Sequence, residues 1–262
     1  MNGEPQRIIY ASAPIKVSMA DSWFDIAALD HFWIRRRFDV LRHLADPLIR
    51  NAARVAEIGC GNGLVQRQIE DHYGIEVTGF DLNELALQMN VSHQSQLYCY
   101  DIHQRSPEFR ARFDVLLLLD VLEHIDDEAA FLQSTRHHMT DSGLLIIDVP
   151  AHQTFYSKYD EEVGHIRRYS IVQLAATLER SGFKIRSFTY WGLPLIPLLV
   201  ARKAMLALRR TDQGIIASGF DPGSPALNYS LGWLARCEHL PQKRLGSSLL
   251  VVAENQIGIK RT

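Results

Sequence analysis

Three closely spaced glycines follow an apolar run near residue 55. The stretch "VAEIGCGNGL" places Glu57, Gly59, Gly61 and Gly63 at alternate positions. Glycine in such a stretch indicates a sharp turn or a close approach of the backbone to a ligand. The dinucleotide fingerprint G-x-G-x-x-G has its third glycine one residue later. The spacing alone leaves open a nucleoside, a pyrophosphate or a tight strand-to-helix turn without a ligand.

Carboxylates recur at the ends of the next three apolar runs. "VTGFD" ends in Asp81, "YCYDI" contains Asp101 and Ile102, and "FDVLLLLD" ends in Asp120. A carboxylate accepts hydrogen bonds, which suits ribose hydroxyls at Asp81, an exocyclic amine at Asp101 and an ammonium group at Asp120. Ile102 is placed to cover a purine face. The set fits an adenosine with a cationic amino-acid tail, and it would repel a pyrophosphate.

Two histidines are candidate general bases that could remove the proton of a substrate hydroxyl. His124 lies in "DVLEH" and His165 in "YDEEVGHIRRYS", and an unperturbed histidine titrates near neutral pH. The alternatives are helix capping by His124 and loop stacking by His165. Glu123 and His124, with His165 and Asp120, are also ligand types that bind a divalent cation. We assign no metal ligand, and a divalent metal remains the less favoured alternative.

Strands and helices alternate through the chain around these residues. Predicted strands at "RVAEIG", "IEVTGFD", "QLYCYDI", "FDVLLLLD" and "GLLIIDVP" are separated by helical patterns. Two later strands, "KIRSFTYW" and "SSLLVVAEN", complete the set. This order predicts an α/β fold: a Rossmann-like, mainly parallel seven-stranded sheet with helices on both faces and an antiparallel last strand. Ligands of such sheets bind at the carboxyl ends of the strands, where the residues singled out above fall.

The flanking segments predict an N-terminal helical flap and an insertion before the last strand. Residues 1 to about 20 read as a loose tail, and Asp21 to Arg50 as an amphipathic helix or a flap over a site. Residues 192–246 begin with the apolar "GLPLIPLLVARKAMLALRR". They continue through a flexible loop, "TDQGIIASGFDPGSPALNYS", to a short helix, "LGWLARCEHLP". The predicted division is 1–50, 51–191, 192–246 and 247–262.

The insertion has two open interpretations. It is either a helical lid or a membrane-interface helix over residues 192–210 with its basic side chains toward lipid headgroups. Either suits a bulky or lipid-linked acceptor.

Composition restricts the class of partner and the compartment. The chain has 262 residues, a formal charge of -2 and three cysteines without paired spacing. A chain without basic excess is unlike a generic nucleic-acid binder, so we expect no nucleic-acid partner. Scattered thiols and the lack of a signal-like N-terminal run favour a cytoplasmic protein, with peripheral contact at the inner membrane face left open. The oligomeric state is not indicated.

The motifs "VAEIGCGNG", "VTGFDLN", "CYDI" and "FDVLLLLDVLEHI" resemble those of class I S-adenosylmethionine-dependent methyltransferases. The resemblance runs from about Arg54 to Glu254. It implies S-adenosylmethionine as cofactor, with S-adenosylhomocysteine as product. The cofactor-binding residues that it implies are Glu57, Gly59, Cys60, Gly61, Gly63, Asp81, Leu82, Asp101, Ile102 and Asp120.

The segment "YDEEVGHIRRYS" is similar to an element of small-molecule methyltransferases, including the O-methyltransferases of ubiquinone biosynthesis. Some of those enzymes have a metal at a Glu-His pair similar to Glu123 and His124. The resemblance implies methyl transfer to a small-molecule or lipid-like acceptor, at a hydroxyl oxygen, with His124 and His165 as catalytic candidates. The alternatives are a nicotinamide-dependent oxidoreductase, a non-catalytic cofactor-binding module on the same fold and, less favoured, a nucleic-acid methyltransferase.

Overall fold

Eight strands form one sheet in the computed structural model, which describes residues 8–17, 21–24, 26–208, 215–216 and 221–256. They are β1 Ile8–Tyr10, β2 Val55–Ile58, β3 Val77–Asp81, β4 Leu97–Cys99, β5 Phe113–Leu119, β6 Met139–Pro150, β7 Phe183–Trp191 and β8 Ser248–Asn255. Their order is β1-β4-β3-β2-β5-β6-β8-β7. Neighbours pair in parallel except β8, which is antiparallel to both β6 and β7. The predicted Rossmann-like sheet with an antiparallel last strand is confirmed.

The strand β5 shows why the central strands are continuous apolar runs. Leu116 and Leu118 belong to the core on one face of the sheet, while Leu117 and Leu119 belong to the core on the other. Successive side chains of a strand point to opposite faces, and helices cover both faces here. Both sets of positions must therefore be apolar.

The helices are α1 Phe32–Arg50, α2 Leu64–Tyr73, α3 Glu84–Gln88, α4 Glu128–His138, α5 Lys158–Glu162, α6 Ile171–Arg180, α7 Ile196–Leu208 and α8 Pro225–Ala235. The long helix α1 packs on the sheet through Val40, Leu41, Ala45 and Ile49. It begins at Phe32, where the His31 side chain accepts a hydrogen bond from the Trp33 N–H. The expectation that the helix begins at Asp21 is wrong, because residues 21–23 form a separate 3-10 turn.

The predicted loose N-terminal tail contains an eighth strand. β1 pairs in parallel with β4, and the N–H groups of Ala11 and Ser12 both donate to the Cys99 carbonyl. Farther on, the Ile15 N–H donates to the Leu82 carbonyl. The expectation of seven strands fails here because three residues are too short for a periodic pattern. Residues 1–7 and 18–20 of that predicted tail lie outside the described residues.

The described part of the insertion includes the helices α7 and α8. α7 packs against α5, and α8 packs against α1. The predicted loop is wrong from Pro225 onward: Ser224 caps α8 by accepting from the Leu227 N–H, and Pro225 occupies the first turn. Positions 209–214 and 217–220, and the tail 257–262, lie outside the described residues. Among the helices that the structure describes, none has the length and apolar character needed to cross a membrane.

Candidate active site

The glycine loop joins β2 to α2 at the carboxyl edge of the sheet. Gly59, Gly61 and Gly63 all have positive φ, at 74°, 52° and 75°. A Cβ on Gly59 would lie 2.5 Å from a methyl carbon of Val121, and one on Gly63 would lie 2.2 Å from Asn90 Oδ1. Residues with a side chain are disfavoured at Gly59 and Gly63 both by the backbone conformation and by the lack of space around the loop.

Asp81 fixes the glycine loop from the end of β3. One carboxylate oxygen accepts from the Gly61 N–H at 2.7 Å, and the other accepts from the Asn83 N–H at 2.8 Å. Burial raises the pKa of Asp81, and these hydrogen bonds oppose that rise. The carboxylate therefore shapes the loop and still borders the cavity beside it.

A cavity of about 590 Å³ lies against this edge of the sheet. Nine of the ten expected cofactor residues line it: Glu57, Gly59, Cys60, Gly61, Asp81, Leu82, Asp101, Ile102 and Asp120. Gly63 does not; it is the N-cap of α2. Trp23 and Phe24, in the segment interpreted as a helix or a flap over a site, also line the cavity. Residues 15–17 add a wall that the sequence did not indicate.

Arg37 is a site residue that the sequence reasoning missed. It is buried on α1, and its guanidinium forms an ion pair with Asp120 at the end of β5. It also lines the cavity near Glu57. Burial, together with the negative charges of Asp81 and Asp120, raises the pKa of Glu57 to about 8. The positive charge of Arg37 opposes this rise only in part. The signal was present in the sequence: Arg37 lies three residues after Ile34 and four before Leu41, both buried, on one helical face.

A second cavity of about 250 Å³ meets the first, since Trp23 and Asp120 line both. His165, Tyr159, Arg168 and Arg202 line the second cavity together with leucines of α7 and α8. His124 lines the first cavity. The ring centroids of His124 and His165 are 4.9 Å apart, so the structure brings the two catalytic candidates together where the cavities meet.

Both imidazoles are held through Nδ1. His165 Nδ1 lies 3.1 Å from Asp160 Oδ1, and His124 Nδ1 lies 3.0 Å from the Gly164 carbonyl. Both partners accept hydrogen bonds, which selects the tautomer with the proton on Nδ1 and the lone pair on Nε2. Burial, followed by the nearby His165, lowers the pKa of His124 to about 4. His124 is therefore neutral at physiological pH.

Glu123 is fully buried beside the two histidines. Neither of its carboxyl oxygens has a hydrogen-bond partner among the described residues, and Oε1 lies 3.7 Å from His165 Nε2. Burial, with Asp120 nearby, raises the pKa of Glu123. One ligand atom from each of Glu123, His124 and His165 lies within 4.8 Å of the others. A buried carboxyl that has no hydrogen-bond partner among the described residues and lies close to two imidazoles fits a divalent cation.

The chain belongs to a methyltransferase family: the family model described as "Methyltransferase domain" matches residues 29–187. A probable S-adenosylmethionine-dependent methyltransferase of Mycolicibacterium smegmatis is 27% identical over 70% of each chain. A ubiquinone biosynthesis O-methyltransferase of Cereibacter sphaeroides is 33% identical over 43% of this chain and 47% of its own length. The alignment thus spans less than half of that relative.

Solved structures show the same fold. A S-adenosylmethionine-dependent methyltransferase from Archaeoglobus fulgidus aligns with a TM-score of 0.52 and 19% identity, over 84% of this chain and 94% of that one. Together with the sequence matches, this confirms a class I S-adenosylmethionine-dependent methyltransferase. The family assignment also decides against a nicotinamide-dependent oxidoreductase.

Proposed function

We propose that the chain transfers the methyl group of S-adenosylmethionine to a hydroxyl oxygen of a small-molecule or lipid-like acceptor. The observation that carries the proposal is the junction of the two cavities, with His124 and His165 beside it. The larger cavity suits the cofactor and the smaller one the acceptor. Methyl transfer from a sulfonium requires mainly that the acceptor atom lie close to the methyl carbon and in line with its bond to sulfur.

The cofactor's adenosine is assigned to the β3 and β4 ends. Asp81 accepts from the ribose hydroxyls, Asp101 from the adenine amine, and Ile102 covers the purine. Asp101 Oδ1 already accepts from the His103 N–H at 2.9 Å, which orients the carboxylate at the end of its strand. Ile102 is buried next to it.

The amino-acid tail is assigned to the other half of the cavity. Gly59 and Gly61 allow the tail to approach the backbone, while Glu57 and Asp120 attract its ammonium group. Arg37 lies beside both acids, where its guanidinium suits the tail's carboxylate. The pair Arg37–Asp120 thus offers both charges that a zwitterion needs.

His165 is assigned as the general base. Its Nε2 receives the proton of the acceptor hydroxyl as the new carbon–oxygen bond forms and the bond from carbon to sulfur breaks. Asp160 is fully buried and holds the imidazole through Nδ1. Burial by itself would raise the pKa of Asp160, but the hydrogen bond from His165 and the charge of Arg168 lower it to about 2. An ionised Asp160 stabilises the imidazolium that forms.

The Glu123 carboxyl has no hydrogen-bond partner among the described residues, and this favours a second arrangement of the same site. Glu123, His124 and His165 would hold a divalent cation, with Asp160 and the Gly164 carbonyl orienting the two imidazoles. Such an ion supplies Lewis-acid stabilisation of an oxygen anion. His165 Nε2 would then be a ligand of the ion and would not remove the proton of the acceptor.

A lipid-like acceptor is supported by the mouth of the smaller cavity. Leu198 and Leu227 line this cavity, and each is 48% exposed. Nearby α7 also exposes Val200, Met205 and Leu208. We place peripheral membrane contact at residues 192–210 of an otherwise cytoplasmic protein; Arg209 and Arg210 of this segment lie outside the described residues.

The proposal is tested with S-adenosylmethionine labelled in its methyl group and a panel of phenols, catechols, amines and lipid-linked phenols. Label is expected in a hydroxyl-bearing acceptor, and Mg²⁺ or a chelator is added to distinguish the two arrangements. Transfer to amines alone would contradict the assignment of oxygen. Cofactor binding without transfer to any acceptor would favour the non-catalytic module.

A further inference from the structure

The smaller cavity combines an apolar wall with two cationic side chains, of which Arg168 is buried and Arg202 is half-buried. Arg168 and Arg202 line it, and the wall is built by Leu195, Leu198, Leu199, Leu227 and Leu231. A small apolar acceptor alone would not require guanidinium groups, which are costly to remove from water. Each guanidinium must therefore be accounted for by its protein contacts or by the chemistry of the acceptor.

Arg168 belongs mainly to the framework of the site. It is 6% exposed, and its Nε donates to Asp160 Oδ1 at 2.7 Å. Asp160 Oδ1 also contacts His165, while Oδ2 accepts from the N–H and the hydroxyl of Ser157. The carboxylate of Asp160 is thus shared among three residues. It neutralises the guanidinium of Arg168.

Arg202 comes from the insertion and lies over Tyr159. Its guanidinium carbon is 4.1 Å from the centroid of the Tyr159 ring. Burial raises the pKa of Tyr159 to about 12, so the ring is neutral at physiological pH and contributes no negative charge. Burial lowers the pKa of Arg202, and the charge of Arg168 lowers it further. A guanidinium has several coplanar N–H donors, so Arg202 can bind ligand oxygens in addition to its protein contacts.

Two acids among the described residues line the same cavity, and each has another partner. Asp120 is paired with Arg37 at the cofactor end. Asp221 is exposed and accepts from the Gly223 N–H. The cationic end formed by Arg202 and the reacting end at His165 are thus parts of one cavity of about 250 Å³, which suits a single ring between them.

We propose that the methyl acceptor carries an anionic group, a carboxylate or a phosphate ester, which Arg202 binds while the acceptor hydroxyl lies at His165. This inference rests on the proposed function and specifies its substrate class. The apolar remainder of the acceptor contacts the leucines of α7 and α8, and a longer chain leaves past Leu198 and Leu227.

The test is calorimetric titration of the full chain saturated with S-adenosylhomocysteine, which fills the cofactor cavity. The probes are benzoate and phenyl phosphate, with benzamide as the neutral match to benzoate. At least one anion is expected to bind about tenfold tighter than benzamide, as charge-assisted hydrogen bonds imply. The preference should vanish in Arg202→Met and persist in the control Lys203→Met, whose residue is adjacent on α7 and contacts the Thr154 carbonyl.

Each outcome decides the inference. The inference is overturned if neither benzoate nor phenyl phosphate binds tighter than benzamide, or if the preference for the anion is unchanged in Arg202→Met. Failure to bind S-adenosylhomocysteine would instead overturn the proposed function. If Arg202→Met loses affinity for S-adenosylhomocysteine through misfolding, Arg202→Lys replaces it and should bind phenyl phosphate weakly but still tighter than benzamide. The anion that binds tighter distinguishes a carboxylate from a phosphate ester.

Discussion

The carboxylate of Asp81 provides the sharpest test of the cofactor site. Asp81→Ala removes the acceptor of two backbone N–H groups, those of Gly61 and Asn83. Hydrogen bonds to a charged group contribute about 1.5–3 kcal/mol each, and the loop relaxes toward water in part. We also assign the ribose hydroxyls to this carboxylate. The loss in binding free energy for S-adenosylhomocysteine should therefore be about 2–4 kcal/mol, a factor of about 30–1000 in Kd.

Calorimetric titration measures this loss of binding free energy directly. Asp81→Asn is a milder variant for which we expect an intermediate loss. The amide keeps one acceptor oxygen, so we expect a loss of about tenfold. Asp71→Ala is the matched control, because the Asp71 side chain is 59% exposed and pairs with Arg67 one turn earlier in the same helix. A Kd for Asp81→Ala within about threefold of the control would refute the assignment of Asp81 to the cofactor. Urea unfolding of each variant separates loss of binding from loss of fold.

Three further predictions concern the buried acids. The Glu57 carboxyl has a pKa of about 8 in place of its ordinary 4.5, so the folded chain binds the extra proton and the unfolded chain does not. The ligand-free chain should thus lose up to about 5 kcal/mol of stability as pH rises between these values. In Glu57→Gln the unfolding free energy, measured by urea titration, should depend less on pH. An equal pH dependence of the unfolding free energy in both proteins would contradict this. Asp160→Asn should cost about 3–5 kcal/mol by leaving Arg168 buried without its partner. The pKa of Asp160 is lowered to about 2 from 3.8, so the wild-type chain should lose about 2.5 kcal/mol of stability as pH falls through this interval, whereas Asp160→Asn should not. The same loss of stability at acid pH in both proteins would count against the pairing. Glu123→Gln should weaken Mn²⁺ binding, followed by electron paramagnetic resonance, by at least about tenfold; equal affinity in both proteins would rule out the proposed cation site.

The sequence predicted which residues meet at the carboxyl edge of the sheet, because local rules determine that edge. The glycines mark a turn after a buried strand, and the parallel strands bring Asp81, Asp101 and Asp120 to one edge. None of this needs knowledge of distant contacts. The same rules placed His124 after β5 and His165 after β6.

Contacts between distant residues were the part that local pattern could not predict. Arg37 and Asp120 are 83 positions apart, and their pairing depends on how α1 lies across the sheet. The smaller cavity requires α7 and α8 to pack on α5 and α1, which the insertion's hydrophobicity suggests only in outline. The strand Ile8–Tyr10 forms because β4 offers an open edge, a condition set by the rest of the sheet.

The most direct test of the central claim is calorimetric titration of the purified full chain with S-adenosylhomocysteine, with NADH as a parallel ligand and with Mg²⁺ present or absent. The account predicts micromolar binding of S-adenosylhomocysteine and none of NADH. A folded chain that does not bind S-adenosylhomocysteine would contradict the assignment of the glycine loop and of the carboxylates around it.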